Sequence, residues 1–158
     1  LLSSPIHITM RVTLLLLPLL LVLLASPAPA QTPDSTGTLV VIVTGFETDD
    51  GVARIRLDAT ASAFAGDADG APFERATAAS IADGVVVWTV DALPWGRYAA
   101  SAYHDEDDDG GLDTNLFGAP SEPFGFSNDA RARFGRPDFI EAAFRLAAPR
   151  DTIRFRVQ

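Results

Sequence analysis

Thr38-Leu39-Val40-Val41-Ile42-Val43-Thr44-Gly45-Phe46 is the stretch on which the fold turns. It is β-branched and apolar at successive positions, so both faces of an extended segment want burial, which suits a central or sandwich-core strand. Glu47-Thr48-Asp49-Asp50-Gly51 then punctuates the chain. From Val52 to Leu57 the pattern alternates, with Ala53, Ile55 and Leu57 on one face and Arg54 and Arg56 on the other. The two segments are expected to pair as a β-hairpin around that turn.

The same reading extends outward. Residues 59–82 are rich in alanine and read as loops with an irregular strand near Phe73, a short helix at Glu74 to Ala79 being left open. After the turn dipeptide Asp83-Gly84, Val85 to Val90 is a strand. Beyond a second turn at Trp95-Gly96, Arg97 to His104 is another, with Tyr98, Ala100, Ala102 and His104 on one face. Asp138 to Leu146 fits a helix or a strand, whereas Thr152 to Val157 alternates plainly, Ile153, Phe155 and Val157 against Arg154 and Arg156. Short strands, frequent turns and little helix predict an all-β fold, an antiparallel β-sandwich.

The chain has 158 residues, one domain's worth, and 47% of them are hydrophobic, enough to build a core. Its net charge of −9 excludes the electrostatic footprint of a nucleic-acid binder. All 12 basic residues are arginine. Cysteine is absent, which removes disulfides, thiolate metal sites and a lipidated N-terminal cysteine together.

Met10 and Arg11 precede an apolar run from Val12 to Ala25, interrupted only by Thr13, and then Ser26-Pro27-Ala28-Pro29-Ala30. This is the charged start, apolar middle and A-x-A end of a secretory signal peptide. The run is shorter than the roughly 20 residues a bilayer span needs and contains Pro18, so no stable span is expected after cleavage, a retained anchor being the alternative. Residues 1–9 read as translated upstream sequence, 10–30 as the signal, 31–36 as a short linker and 37–158 as one β-sandwich domain. The expected location is the periplasm or the outside of the cell. Without Arg11 the remainder carries 11 arginines against 21 acids, so the exported form is more acidic than its precursor.

That acidity is bunched. Asp105-Glu106-Asp107-Asp108-Asp109-Gly110-Gly111-Leu112-Asp113 places carboxylates at relative positions 1, 3, 5 and 9 and glycine at 6. This is the first three-quarters of an EF-hand-type loop, in which residues 1, 3 and 5 point inward and residue 7, here Gly111, supplies a carbonyl. Leu112 is expected to face the core and tie the loop down. The bidentate Glu of position 12 is missing, since Leu116 stands there, and Glu122 is the nearest replacement. The loop is therefore expected to hang from a strand, not from an EF-hand helix. Two charges about 6 Å apart in water repel by roughly 0.7 kcal/mol, and several such pairs disfavour an ordered loop unless a cation is bound. Oxygen-only ligands favour Ca²⁺, with Asp105, Asp107, Asp109, Gly111, Asp113 and Glu122 as candidate ligands; the alternative is a plain acidic turn. Asp67-Ala68-Asp69-Gly70 is a weaker echo that reads as an ordinary turn.

A family resemblance rests on four segments: Leu93 to Ala99; His104 through the acidic loop to Asn115; Phe117-Gly118-Ala119-Pro120-Ser121-Glu122; and Phe124-Gly125-Phe126-Ser127-Asn128. Pro137 to Phe144 adds a closing proline, phenylalanine and alanine pattern. Together they resemble the bacterial family called domain of unknown function 2141. In that family's pattern asparagine usually stands where this chain has Asp107 and Asp109, and lysine where it has Gly111, departures that add negative charge to the loop. The resemblance implies an exported sandwich of the transthyretin or carboxypeptidase-regulatory type, with an Ig-like Greek key, and no assigned activity.

His104 reads as a strand-end residue bonded to the loop, with metal ligation or acid–base work as the alternative. No serine sits in a nucleophile elbow, and the carboxylates cluster too tightly to flank a cleft. The 118–128 segment reads as structural support for the loop. The leading expectation is a non-enzymatic, exported, calcium-stabilised binding or adaptor module with a protein or glycan partner. A carbohydrate-binding module using Trp95 and neighbouring aromatics is the second, and a hydrolase using His104 and carboxylates the third. Export predicts cleavage after Ala30 and a mature chain beginning at Gln31. Intact-mass spectrometry of secreted protein checks this, and an uncut N-terminus would contradict it.

Overall fold

In a computed structural model, which describes residues 35–66, 75–133 and 135–158, β1 (Thr36–Thr44) is the middle strand of a three-stranded sheet. Leu39, Val41 and Val43 are fully buried on one of its faces. One edge pairs antiparallel with β4 (Val85–Pro94), the other parallel with β8 (Arg150–Arg156). The second sheet runs β3 (Arg75–Ala79), β2 (Val52–Asp58), β5 (Gly96–Asp105), β6 (Phe124–Phe126). β7 (Phe144–Leu146) pairs with the start of β5, and every pairing in this sheet is antiparallel. The all-β expectation holds; the parallel β1–β8 pair makes the first sheet mixed.

The expected β1–β2 hairpin does not form. Both edges of β1 are taken by β4 and β8, so the turn at 47–51 carries the chain into the other sheet. There Ala53, Ile55 and Leu57 pack in the same core as Leu39, Val41 and Val43. Trp95 alone separates β4 from β5, which also lie in different sheets. Near that corner the β1–β4 register shifts between Gly37 and Leu39, and Ala92 takes a left-handed φ of 54°, the mark of a β-bulge. Val86, Val90, Tyr98, Ala100, Ala102 and Phe155 complete the core between the sheets.

A second, smaller core covers part of the outer face of the β3-β2-β5-β6 sheet. It joins Ala99 and Phe126 to Phe64 from α1 (Ala61–Ala65) and Ala142 from α2 (Phe139–Ala142). Burying Phe64 contributes about 1.5–3 kcal/mol. Helix α1 was not expected from the alanine-rich stretch, yet it has ordinary boundary chemistry: Thr60 accepts the Ala63 N–H, and Gly66 ends it left-handed. Arg75–Ala79, where the sequence also allows a helix, is strand β3. The segment 138–146 is both things in turn, one helical turn and then β7. Residues 1–34, which include the expected signal, and the turn at Asp67 to Gly70 lie outside the described residues, as does Phe73. No helix among the described residues is long and apolar enough to cross a membrane.

The Phe124-Gly125-Phe126-Ser127-Asn128 segment fastens these layers. Gly125 lies so close to the Arg156 carbonyl that a Cβ would collide with backbone, and beside it the Gln158 N–H donates to the Phe124 carbonyl at 3.1 Å. The chain end thereby joins the first sheet to the second. Ser127 is buried; its Oγ accepts the Ala100 N–H at 2.9 Å and donates to the Ala142 carbonyl at 2.6 Å. Asn128, left-handed at φ 61°, donates to the Glu141 and Ala143 carbonyls. Ser127→Ala strands two buried backbone groups and is expected to cost about 1–3 kcal/mol in urea unfolding with an unchanged m-value. A change within 0.3 kcal/mol, roughly the noise for a neutral surface substitution, would refute the staple.

Candidate functional site

Strand alternation decides what each residue at the end of β5 faces. His104 points inward and Asp105 outward, and both are fully buried. On the neighbouring strand Arg54 stands opposite Tyr103 on the outer face, one step from Asp105. Its Nε donates to Asp105 Oδ2, and its terminal nitrogen to Asp108 Oδ1 at 2.8 Å. The loop folds back on the same carboxylate. The Gly110 N–H donates to Asp105 Oδ2 at 3.0 Å and the Asp109 N–H to Oδ1 at 3.1 Å.

This winding draws the loop's acids together. One oxygen from each of Asp105, Asp107 and Asp109 lies within 4.8 Å of the others. The turn needs two left-handed residues, Asp108 at φ 58° and Gly110 at φ 91°, and the glycine stands at the sixth position where the spacing requires it. Asp107 Oδ1 accepts the Asp109 N–H, and Asp109 Oδ1 the Gly111 N–H. Tyr103 donates its hydroxyl to the Gly110 carbonyl at 3.0 Å.

Asp113 and Glu122 lie outside that close group of three. Glu122 is buried, and its two oxygens accept the N–H groups of Glu106 at 2.9 Å and Asp113 at 3.0 Å. It therefore ties the two ends of the acidic loop together. A bridge between Thr114 and Pro120 continues the closure, and the turn beyond leaves Leu116 and Phe117 fully exposed. Leu112, expected in the core, is 36% exposed, because the loop rises from the outer face of the sheet and turns this side chain along that face.

Residues 41–154 match the family described as an uncharacterised protein conserved in bacteria, domain of unknown function 2141. The chain belongs to this family. No curated protein and no solved structure matches it. In this member of domain of unknown function 2141 the motif histidine is walled in. His104 Nε2 lies 2.7 Å from the Asp50 carbonyl, which can only accept, so that nitrogen carries the proton. Nδ1 is buried with no hydrogen-bond partner among the described residues, 3.9 Å from Glu106, and the ring meets Phe46 edge-on. Trp95 is exposed at its turn. Tyr103, Phe124 and Phe126, by contrast, line a groove on the outer sheet face that does not include it. In the sequence Arg54 shows only as the polar side of a strand. Its partner lies 51 residues away, and nothing local announces the pairing.

The loop's charges pull in two directions. Burial pushes the Asp105 carboxyl up, but Arg54 and the Gly110 and Asp109 N–H groups outweigh it and hold the group below its ordinary value. Asp105 therefore contributes stability at neutral pH, lost as pH falls from the ordinary carboxylate range through its lowered value. Asp113 is raised, by desolvation and then by the charges of Glu122, Asp107, Asp109 and Asp105. Folding binds that proton more tightly, so for Asp113 stability rises as pH falls from neutrality through its raised value. Asp113→Asn is expected to raise the melting temperature of calcium-free protein at neutral pH, and Asp105→Asn to lower it. Calorimetry across pH should find the Asp113→Asn advantage fading in acid; identical melting of this variant and wild type at every pH would contradict the repulsion.

Proposed function

We propose that this protein is an exported, non-enzymatic β-sandwich module whose acidic loop takes up Ca²⁺, and that the ordered loop serves a binding or adaptor role outside the cytoplasm. The observation that carries the reading is the convergence of the Asp105, Asp107 and Asp109 oxygens. Three carboxylates in one turn repel one another, and a hard divalent cation with oxygen ligands removes that repulsion. Arg54 already neutralises part of Asp105. Yet a carboxylate has about four acceptor sites, and three are used here, which leaves Asp105 able to ligate through Oδ1. The second oxygens of Asp107 and Asp109, the Gly111 carbonyl and the Asp113 carboxylate would complete the shell. Glu122 supports it by holding both ends of the loop, one bond to each of its oxygens.

The non-enzymatic part of the reading is supported by the burial of His104, which leaves it no approach to a substrate. The export reading rests on the leader-like segment from Met10 to Ala30. We read the two sheets as a transthyretin or carboxypeptidase-regulatory sandwich with an Ig-like Greek key, supported by the way consecutive strands cross between sheets at 47–51 and at Trp95.

Calcium at about 100 times its dissociation constant should stabilise the fold by about 2.7 kcal/mol. Differential scanning calorimetry in calcium and in chelator tests this. The increment should shrink in Asp107→Asn and Asp109→Asn and be smaller with Mg²⁺. Equal melting in calcium and chelator would overturn the assignment.

A further inference from the structure

The second core covers only part of the outer face of the β3-β2-β5-β6 sheet. Beside Phe124 and Phe126 the sheet lies open as a groove of about 560 Å³, within the usual range of small-molecule sites. Its floor includes Ala76, Ala78 and Ser101; Arg54, Arg56 and Arg136 stand around it. Strand register explains the grouping. Arg54 is paired with Ala78 and Arg56 with Ala76, so the small side chains of β3 and the long cations of β2 share one face. Leu112 and Gly110 of the acidic loop also line the groove.

The three cations are not equally neutralised. Arg54 has both Asp105 and Asp108. Arg56 has Asp58 at 3.0 Å, and spends its terminal nitrogen on the Ala63 and Phe64 carbonyls. Arg136 donates to that same Phe64 carbonyl and lies over the Phe64 and Phe126 rings, 5.1 and 5.4 Å from their centroids. Two guanidiniums thus converge on one neutral oxygen, with Asp58 as the nearby carboxylate. Among the described residues Asp58 is the one carboxylate bonded to this pair, so one of the two positive charges has no carboxylate of its own. Five N–H donors per guanidinium exceed the bonds these two make.

We propose that this groove binds a small organic monocarboxylate with a flat apolar body. Its carboxylate would sit at Arg56 and Arg136, where a planar fork meets a planar anion, and its body would lie over the alanine floor against Phe124 and Leu112. A single negative charge fits the single excess positive one. A phosphate dianion would bring a second negative charge beside the Asp58 carboxylate. The proposal does not rest on cation uptake, so binding is expected in calcium and in chelator alike.

Titration calorimetry with benzoate, phenyl phosphate and benzamide tests it. Benzoate should bind saturably, and benzamide, equal in shape but neutral, at least about tenfold more weakly, with phenyl phosphate no tighter than benzoate. Arg136→Gln should weaken benzoate at least about tenfold. Because Arg136 also holds Phe64, Ala78→Trp supplies a second reading: it fills the groove from an exposed strand position and should abolish binding without lowering the melting temperature. Equal affinity for benzoate and benzamide, no saturation by about 10 mM, or undiminished binding to folded Ala78→Trp would each overturn the proposal. Phenyl phosphate binding tighter than benzoate would overturn the choice of a monoanion.

Discussion

Asp105 is a carboxylate buried at the end of a strand, and a buried charge must be answered by partners or given up. Here it is answered from two directions. Arg54 reaches it across the sheet, and the loop that follows it curls back to offer the N–H groups of Gly110 and Asp109. The first answer holds the strand pair together at its open end; the second sets the turn that gathers Asp107 and Asp109 beside it. The shape of the acidic loop is therefore a consequence of keeping one charge buried.

The outer face of the second sheet carries the other consequences. Half of it is roofed by α1 and α2, which pack on Ala99 and Phe126 and are locked by the hydrogen bonds of Ser127 and Asn128. The other half is bounded by the acidic loop and by cations whose partners lie to the side. Arg54 belongs to both regions, bonded to the loop and lining the open groove.

The family motif takes on physical meaning in these terms. His104 fills the space between the sheets and bonds the Asp50 carbonyl; Glu122 closes the loop; Ser127 and Asn128 tie distant backbone groups. Most of these motif residues hold backbone in place. The loop carboxylates of Glu106, Asp107, Asp108, Asp109 and Asp113 are turned to solvent.

Local pattern alone determined the strands built on β1, β2, β5 and β8, the faces they bury, and the acidic turn with its glycine at the sixth position. Those features follow from side-chain alternation and backbone freedom, which act over a few residues. Which strands became neighbours was decided only by packing. β1 has two apolar faces and two occupied edges, so the turn after it could not close a hairpin, and the chain crossed to a second sheet. The pairing of Arg54 with Asp105, the staple of Glu122 and the groove between Arg56 and Arg136 likewise arise where segments far apart in sequence meet. The chain spells out the charges; the fold chose their partners, because a charge is neutralised by whatever lies near it in space.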